Sequence, residues 1–337
     1  MLPMLFDVGS FSLKALVLGL VITTVLLILI SASLKQKRAD KNLDVQDLSE
    51  KNKKRQLAIR SKLMPAGAFK KLLKEEKKKL KEEKKAQNKS HRPRLFVLDF
   101  KGDVKASQGE DLRDQISALV SVCEPSRDEV LVSIESPGGM VHTYGLAAAQ
   151  LHRLRARGIR LTAAVDKVAA SGGYLMASVA HEIIAAPFAV VGSIGVVAQV
   201  PNFHRLLKKN DIDYQEITSG KFKRTVSLLG EITPEGKKHF EQKIEGTHVL
   251  FKDFVKELRP QLNLEEVANG DHWYGSEALR MGLVDRLLTS DDYILEALKT
   301  KQVIKISTPE KKTLMQKMSQ AAEAGLEKCL ERFFFIG

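Results

Sequence analysis

The sequence predicts an α/β layer fold of parallel crossover units behind one membrane-spanning helix, and three observations carry that expectation. Beyond Pro93, short apolar runs rich in β-branched residues alternate with segments of helical spacing. Near the N-terminus, the 20 consecutive residues from Ala15 to Leu34 carry no charge. Between these regions, residues 51–94 hold 18 Lys/Arg against four Glu, so this stretch alone exceeds the +13 formal charge of the 337-residue chain. A composition that is 44% hydrophobic and 28% charged excludes a mainly disordered or collagen-like chain. Basicity confined to one stretch argues against a nucleic-acid-binding domain, which spreads Lys and Arg over a folded face, so no nucleic-acid partner is expected. Two cysteines, Cys123 and Cys329, exclude a disulfide framework and a Cys-rich zinc site.

Residues 1–38 form the first expected segment. A 20-residue helix is about 30 Å long, the thickness of a bilayer hydrocarbon core, and the run at 15–34 is apolar on every face. Lys14 precedes it and Lys35, Lys37 and Arg38 follow it, so the positive-inside count places the bulk of the chain in the cytoplasm. Residues 39–93 read as a polybasic, partly helical linker with Glu and Lys four apart, as at Glu75 and Lys79. Such a run is either a solvated spacer or a patch drawn to anionic lipids at about 1 kcal/mol per Lys near the surface.

Residues 94–300 carry the α/β pattern. Arg94–Phe100 and Glu129–Ser136 are apolar strands, with a helix-spaced segment between them. Tyr144–Gly158 is a helix closed by glycine, Arg160–Asp166 a strand, the segment from Ser171 a short helix, and Glu182–Ala186 a strand. Strands alternating with helices imply parallel crossover units. A long helix follows from Thr233 to about Arg259, and a shorter one spans Gly275–Leu283. Residues 301–337 read as a tail that turns amphipathic from about Pro309 and ends in FFFIG, too short to span a membrane and suited to packing or self-association.

Chemistry-bearing residues gather at strand ends. In ESPGGMV a strand runs into Pro137, Gly138 and Gly139, where backbone N–H groups can turn toward a ligand. In VDKVAASGGYLMAS, Ser171 stands where a strand meets a helix start, with Gly172 and Gly173 behind it. A serine there is either a helix N-cap or a nucleophile at the positive end of the helix dipole. A nucleophile needs a base. None of the eight histidines lies in a Gly-x-Ser-x-Gly elbow, no His-Glu-x-x-His zinc motif occurs, and His142 alone lies near a strand end. A desolvated lysine is the other option, and Thr218–Ser227 offers Lys221 and Lys223 around Phe222. Spacing does not choose among these.

The ordered set ESPGG, VAASGGYLMAS, GSIGVV, SGKFK and WYGSEALRMGLVD resembles the signal peptide peptidase A family of serine peptidases, which have a ClpP/crotonase-like fold, and within it the single-anchor, single-domain members. The resemblance covers about Arg94 to Leu288. It implies that Ser171 is the nucleophile and Lys223 the general base, with Lys221 on a variable position. It implies oxyanion donors at Gly139 and Gly172, with Gly138 and Gly173 completing the glycine turns, and neither metal nor cofactor. It further implies a ring-like homo-oligomer in which Ser171 meets Lys223 of a neighbouring copy, and substrates that are peptides or unfolded or membrane-associated protein segments. The family's setting is the bacterial inner membrane with the catalytic domain on the periplasmic side, opposite to the charge count. RTVSLLGE after the lysine, in place of the Ser-Pro or Glu-Pro segment of many members, leaves substrate preference open. The same fold admits two other readings, a catalytically silent membrane scaffold and an acyl-CoA-handling crotonase.

Overall fold

The computed structural model describes residues 43–87 and 92–309. The expected anchor at 15–34 and residues 310–337 of the expected tail lie outside the described residues, within which no helix is long and apolar enough to cross a membrane. The order is β1 (Asp44–Asp47), α1 (Leu48–Leu63), α2 (Ala66–Gln87), β2 (Arg94–Lys101), α3 (Gly109–Val122), β3 (Glu129–Glu135), α4 (Val141–Arg155), β4 (Arg160–Val165), β5 (Val168–Ala170) and α5 (Gly172–Ala177). Then follow β6 (Glu182–Ala185), β7 (Val190–Gly192), α6 (His204–Lys209), α7 (Pro234–Leu258), α8 (Leu264–Val267), β8 (His272–Tyr274), α9 (Gly275–Arg280), β9 (Arg286–Leu287), α10 (Ser290–Ala297) and β10 (Gln302–Ser307).

Seven strands form the main sheet in the order β1-β10-β2-β3-β4-β6-β9, parallel throughout except for the antiparallel pair β1/β10. The near-continuous apolar runs of β2, β3 and β4 suit strands covered on both faces, and Leu95, Leu98, Leu131, Val132 and Ala163 are fully buried. In α3, Leu112, Ile116 and Leu119 recur at helical spacing and are buried, which fixes that helix on the sheet. A second sheet, β5-β7-β8, begins where Ser136 bridges Ala169, so the chain leaving β3 is held beside the chain entering α5. That juncture brings two glycine turns together.

The sheet also takes in residues on both sides of 94–300. β10 lies between β1 and β2, and β1 pairs with it in the register Val45 to Ile306. The basic stretch is therefore entered through a sheet strand, and its first helix is tied down: the Val303 N–H donates to Ser49 Oγ (2.9 Å), and Leu48 packs against the core cluster around Leu95 and Val303. The run 302–307 that reads in sequence as part of a tail is a strand between two others. Val303 and Ile306, the buried residues of the strand, stand three apart, with intermediate cover on the others, so the run shows no strand period.

α7 is 25 residues long, with Pro234 in its first turn and the Thr233 hydroxyl accepting from the Gly236 N–H (3.1 Å). Its C-terminal end is fixed by Arg259, whose guanidinium grips both carboxylate oxygens of Asp285 (2.7 and 2.8 Å).

Candidate active site

β5 delivers Ser171 to the start of α5 with φ 51 and ψ −119, a backbone conformation costly for a residue with a side chain. Two backbone hydrogen bonds impose it: the Ser171 N–H donates to the Gly192 carbonyl at the end of β7 (2.8 Å), and the Ser171 carbonyl accepts from the Leu175 N–H (2.9 Å). Ser171 stands at the N-cap position of α5, but its hydroxyl makes no capping hydrogen bond to the helix. What remains is a half-buried serine, strained, with its hydroxyl free of the helix it precedes.

The turn after β3 is built around a relay of hydrogen bonds. The Gly138 N–H donates to Ser136 Oγ (3.1 Å), Ser136 Oγ donates to Tyr144 Oη (2.6 Å), and Tyr144 Oη donates to the Asp103 carbonyl (2.7 Å). Burial holds the Tyr144 phenol above its ordinary pKa, which keeps the relay protonated. Gly138 has φ 90, and a Cβ there would lie 2.7 Å from Ser171 Cβ. At Gly139 a Cβ would meet the Val104 carbonyl oxygen at 2.2 Å. Among the turn's amides, that of Gly138 is committed to Ser136 and that of Met140 to the Val104 carbonyl (2.8 Å), which leaves the Gly139 N–H between them. Gly172 opens α5 against the Tyr144 ring, where the first N–H groups of a helix have no intrahelical acceptor, and Gly173 is buried against the Ser136 carbonyl.

Ser171, Gly138, Gly139 and Gly172 line one cavity of about 830 Å³, whose walls also include Leu175 and, from α7, Thr247, His248, Phe251 and Phe254. Sequence reasoning did not single out Ser193, His248 or Asn269, which line it too. Ser193 had a signal: it follows Gly192 at the end of a strand in GSIGVV, the same setting as Ser171, and it also has a left-handed φ of 53. His248 had none, because one polar residue in a long helix resembles any solvated position.

Lys223 does not line this cavity. It is exposed, on a loop clamped to the first turns of α7: Lys221 pairs with Glu235 (2.6 Å), the Phe222 ring stacks on His239 (3.9 Å between centroids, 10° between planes), and Gly236 packs against the Thr225 carbonyl. The structure therefore joins the serine to its glycine turns within one chain and leaves the lysine apart. His142 is exposed in the first turn of α4 and lines no part of the cavity. The Cys123 thiol is pushed up to about 12, first by burial and then by the Asp128 carboxylate, so it is no thiolate nucleophile near neutral pH.

A serine held at a strained strand-to-helix junction beside two glycine turns is an arrangement for attack on a carbonyl. Residues 3–151 match the model of "Peptidase family S49 N-terminal" and residues 153–304 that of "Peptidase family S49". The chain belongs to peptidase family S49. The chain is 47% identical over 335 residues to the "Probable protease SohB" of Haemophilus influenzae, covering 96% of this chain and 95% of that one. It is 55% identical over 205 residues to the "Probable protease SohB" of Buchnera aphidicola subsp. Schlechtendalia chinensis, covering 61% and 67% respectively. Among solved structures, this S49 chain is similar to a 1510-N membrane-bound stomatin-specific protease in complex with a substrate peptide, at 13% identity and a TM-score of 0.43, over 68% of this chain and 99% of that one. The mixed α/β fold and the S49 relatives together make proteolysis the activity class of the chain.

Proposed function

We propose that this S49 protein is a membrane-anchored serine endopeptidase of ClpP/crotonase-like fold, in which Ser171 attacks peptide bonds with Lys223 of a neighbouring copy as general base. The observation that carries the reading is Ser171 itself, strained, making no capping hydrogen bond and lining a cavity, with the Gly138–Gly139 turn against it. Lys223 Nζ, as general base, takes the proton from Ser171 Oγ as that oxygen attacks the substrate carbonyl carbon. The N–H groups of Gly139 and Gly172 receive the negative charge that develops on the carbonyl oxygen. The lysine returns its proton to the departing amine, leaving an acyl-enzyme, and water activated by the same lysine releases the new carboxylate. A serine with a lysine base is an established variant of the serine-nucleophile logic.

Supply of the lysine by a second copy accords with its place in the single chain. The lysine loop docks at Glu235–His239, whereas α7 meets the Ser171 cavity from Thr247 onward, about 12 Å further along the helix at about 1.5 Å per residue. A ring-like homo-oligomer meets this need, with residues 1–38 carrying the bilayer anchor, α1 and α2 the basic helices facing anionic lipid, the sheet that takes in β1 and β10 the catalytic core, and the residues after β10 the tail. Substrates are peptides or unfolded or membrane-associated segments, cleaved on the periplasmic face of the inner membrane.

Cleavage of an unfolded protein by the detergent-solubilised chain tests this. Ser171→Ala and Lys223→Ala are each expected to lose activity, and the two variants assembled together to regain part of it, because mixed rings contain sites with both residues intact. Wild-type activity in Ser171→Ala would refute the nucleophile, and failure of the mixture to recover would refute the shared site.

A further inference from the structure

α1 leaves the sheet at Leu48 and α2 follows it after a two-residue turn, with Lys53 of the first paired to Glu76 of the second. In this helical pair Leu57, Phe69, Leu72 and Leu73 are partly covered, and no residue of α1 is fully buried. Ile59 and Leu63 differ. They stand one turn apart on α1 and are 61% and 77% exposed. Ile59 lies about 160° round the helix from Leu57, so the two form a second apolar stripe, separate from the covered one. By the same helical spacing Arg55 and Lys62 flank that stripe on one side and Arg60 on the other. None of these three cations has an ion-pair partner among the described residues, whereas Lys54 nearby is held by Glu50 (2.7 Å).

We propose that the Ile59–Leu63 face of α1 is a docking surface for the headgroup layer of an anionic bilayer, where the two apolar side chains enter the hydrocarbon boundary and Arg55, Arg60 and Lys62 pair with the headgroups. The inference rests on the reading of residues 1–38 as a bilayer anchor and deepens it from a basic linker to a face with named residues. An exposed apolar stripe edged by unpaired cations is the pattern of a helix that lies in a membrane interface. Long cationic side chains suit its edge, because their stems lie along hydrocarbon while their charges stay among the headgroups. Nine residues, 35–43, separate the expected anchor from β1, a reach of about 30 Å at full extension. An acidic protein would also match the cations, but such a tether presents the bilayer to this face at far higher effective concentration. Docked in this way, α1 passes its hold to the sheet through Ser49 and Val303, so the catalytic body is kept against the membrane instead of swinging on its tether.

Quenching of a tryptophan placed on this face by the lipid itself tests the proposal. Full-length Leu63→Trp and, separately, Ile59→Trp are reconstituted into vesicles of phosphatidylcholine brominated on its acyl chains, with or without about one-third phosphatidylglycerol. The unsubstituted protein supplies the background from Trp273, the chain's one tryptophan. Both reporters are expected to lose emission and shift to the blue, and to do so more strongly in the anionic vesicles than in phosphatidylcholine alone. Adding Arg55→Glu, Arg60→Glu and Lys62→Glu together removes the difference. Unquenched reporters in anionic vesicles overturn the inference, and so does quenching that is equal without phosphatidylglycerol or that survives the charge reversal. Alkaline carbonate washing of the same vesicles checks the anchor by itself. Protein retained with unquenched reporters leaves the anchor standing and sinks this inference, whereas quenched reporters on protein that carbonate strips sink the anchor and keep the docking face.

Discussion

At Gly138 the backbone holds φ 90 and a Cβ would lie 2.7 Å from Ser171 Cβ and 2.8 Å from the Gly172 N, so even alanine presses on the proposed nucleophile and on the amide proposed as an oxyanion donor together. Gly138→Ala is accordingly expected to lower the peptidase rate by about 10²–10³, the cost of one misplaced oxyanion donor, with an unchanged far-UV circular dichroism spectrum. A rate within a few-fold of wild type would mean that the turn does not set the serine. At this scale the sequence was legible where a residue type has few uses. Pro-Gly-Gly after a strand and Ser-Gly-Gly before a helix both stand where they were read. The strain at Ser171 was not legible, because it comes from Gly192, which follows it by a whole strand and helix and reaches it only in the folded sheet.

Between elements, the entry to the sheet is secured by Asp128, buried in the turn before β3, which takes two hydrogen bonds from the Arg94 guanidinium (3.0 and 2.5 Å) and one from the Glu124 N–H (2.8 Å). Burial opposes ionisation of Asp128, but these donors outweigh it and hold the carboxyl below the usual carboxylate range. A depressed carboxyl contributes stability that is present above its unfolded pKa, near pH 4, and lost as the pH falls through the lower folded value. Asp128→Asn should therefore cost about 2 kcal/mol near neutral pH, and urea titrations of the two proteins should converge as the medium is acidified below about pH 4. A difference that persisted there would assign the loss to packing instead of charge. The principal strands and the long helix were readable because their apolar periods are strong; Thr233 and Arg259 bracket α7 as the sequence suggested. The short strands β5, β7, β8 and β10 were not, since two to four apolar residues do not establish a period.

For the whole molecule, a site divided between copies makes activity depend on assembly. On dilution of the solubilised protein, specific activity is expected to fall in step with the fraction assembled, measured by analytical ultracentrifugation on the same samples. Activity constant down to the monomer would place a complete site in each chain. The proposed supply of the lysine by a neighbouring copy was implied by the resemblance of the ordered motifs and not by any spacing, for a contact between copies leaves no spacing signature in one of them. The first and last of the described strands are made far apart in time. β10 is inserted between β1 and β2, so the strand that leads into the basic helices has no partner until nearly all of the described chain has been synthesised. During translation the flank of β2 stays open and β1 waits unpaired, which makes this edge the last piece of the sheet to close and the one a nascent chain must shield from its neighbours.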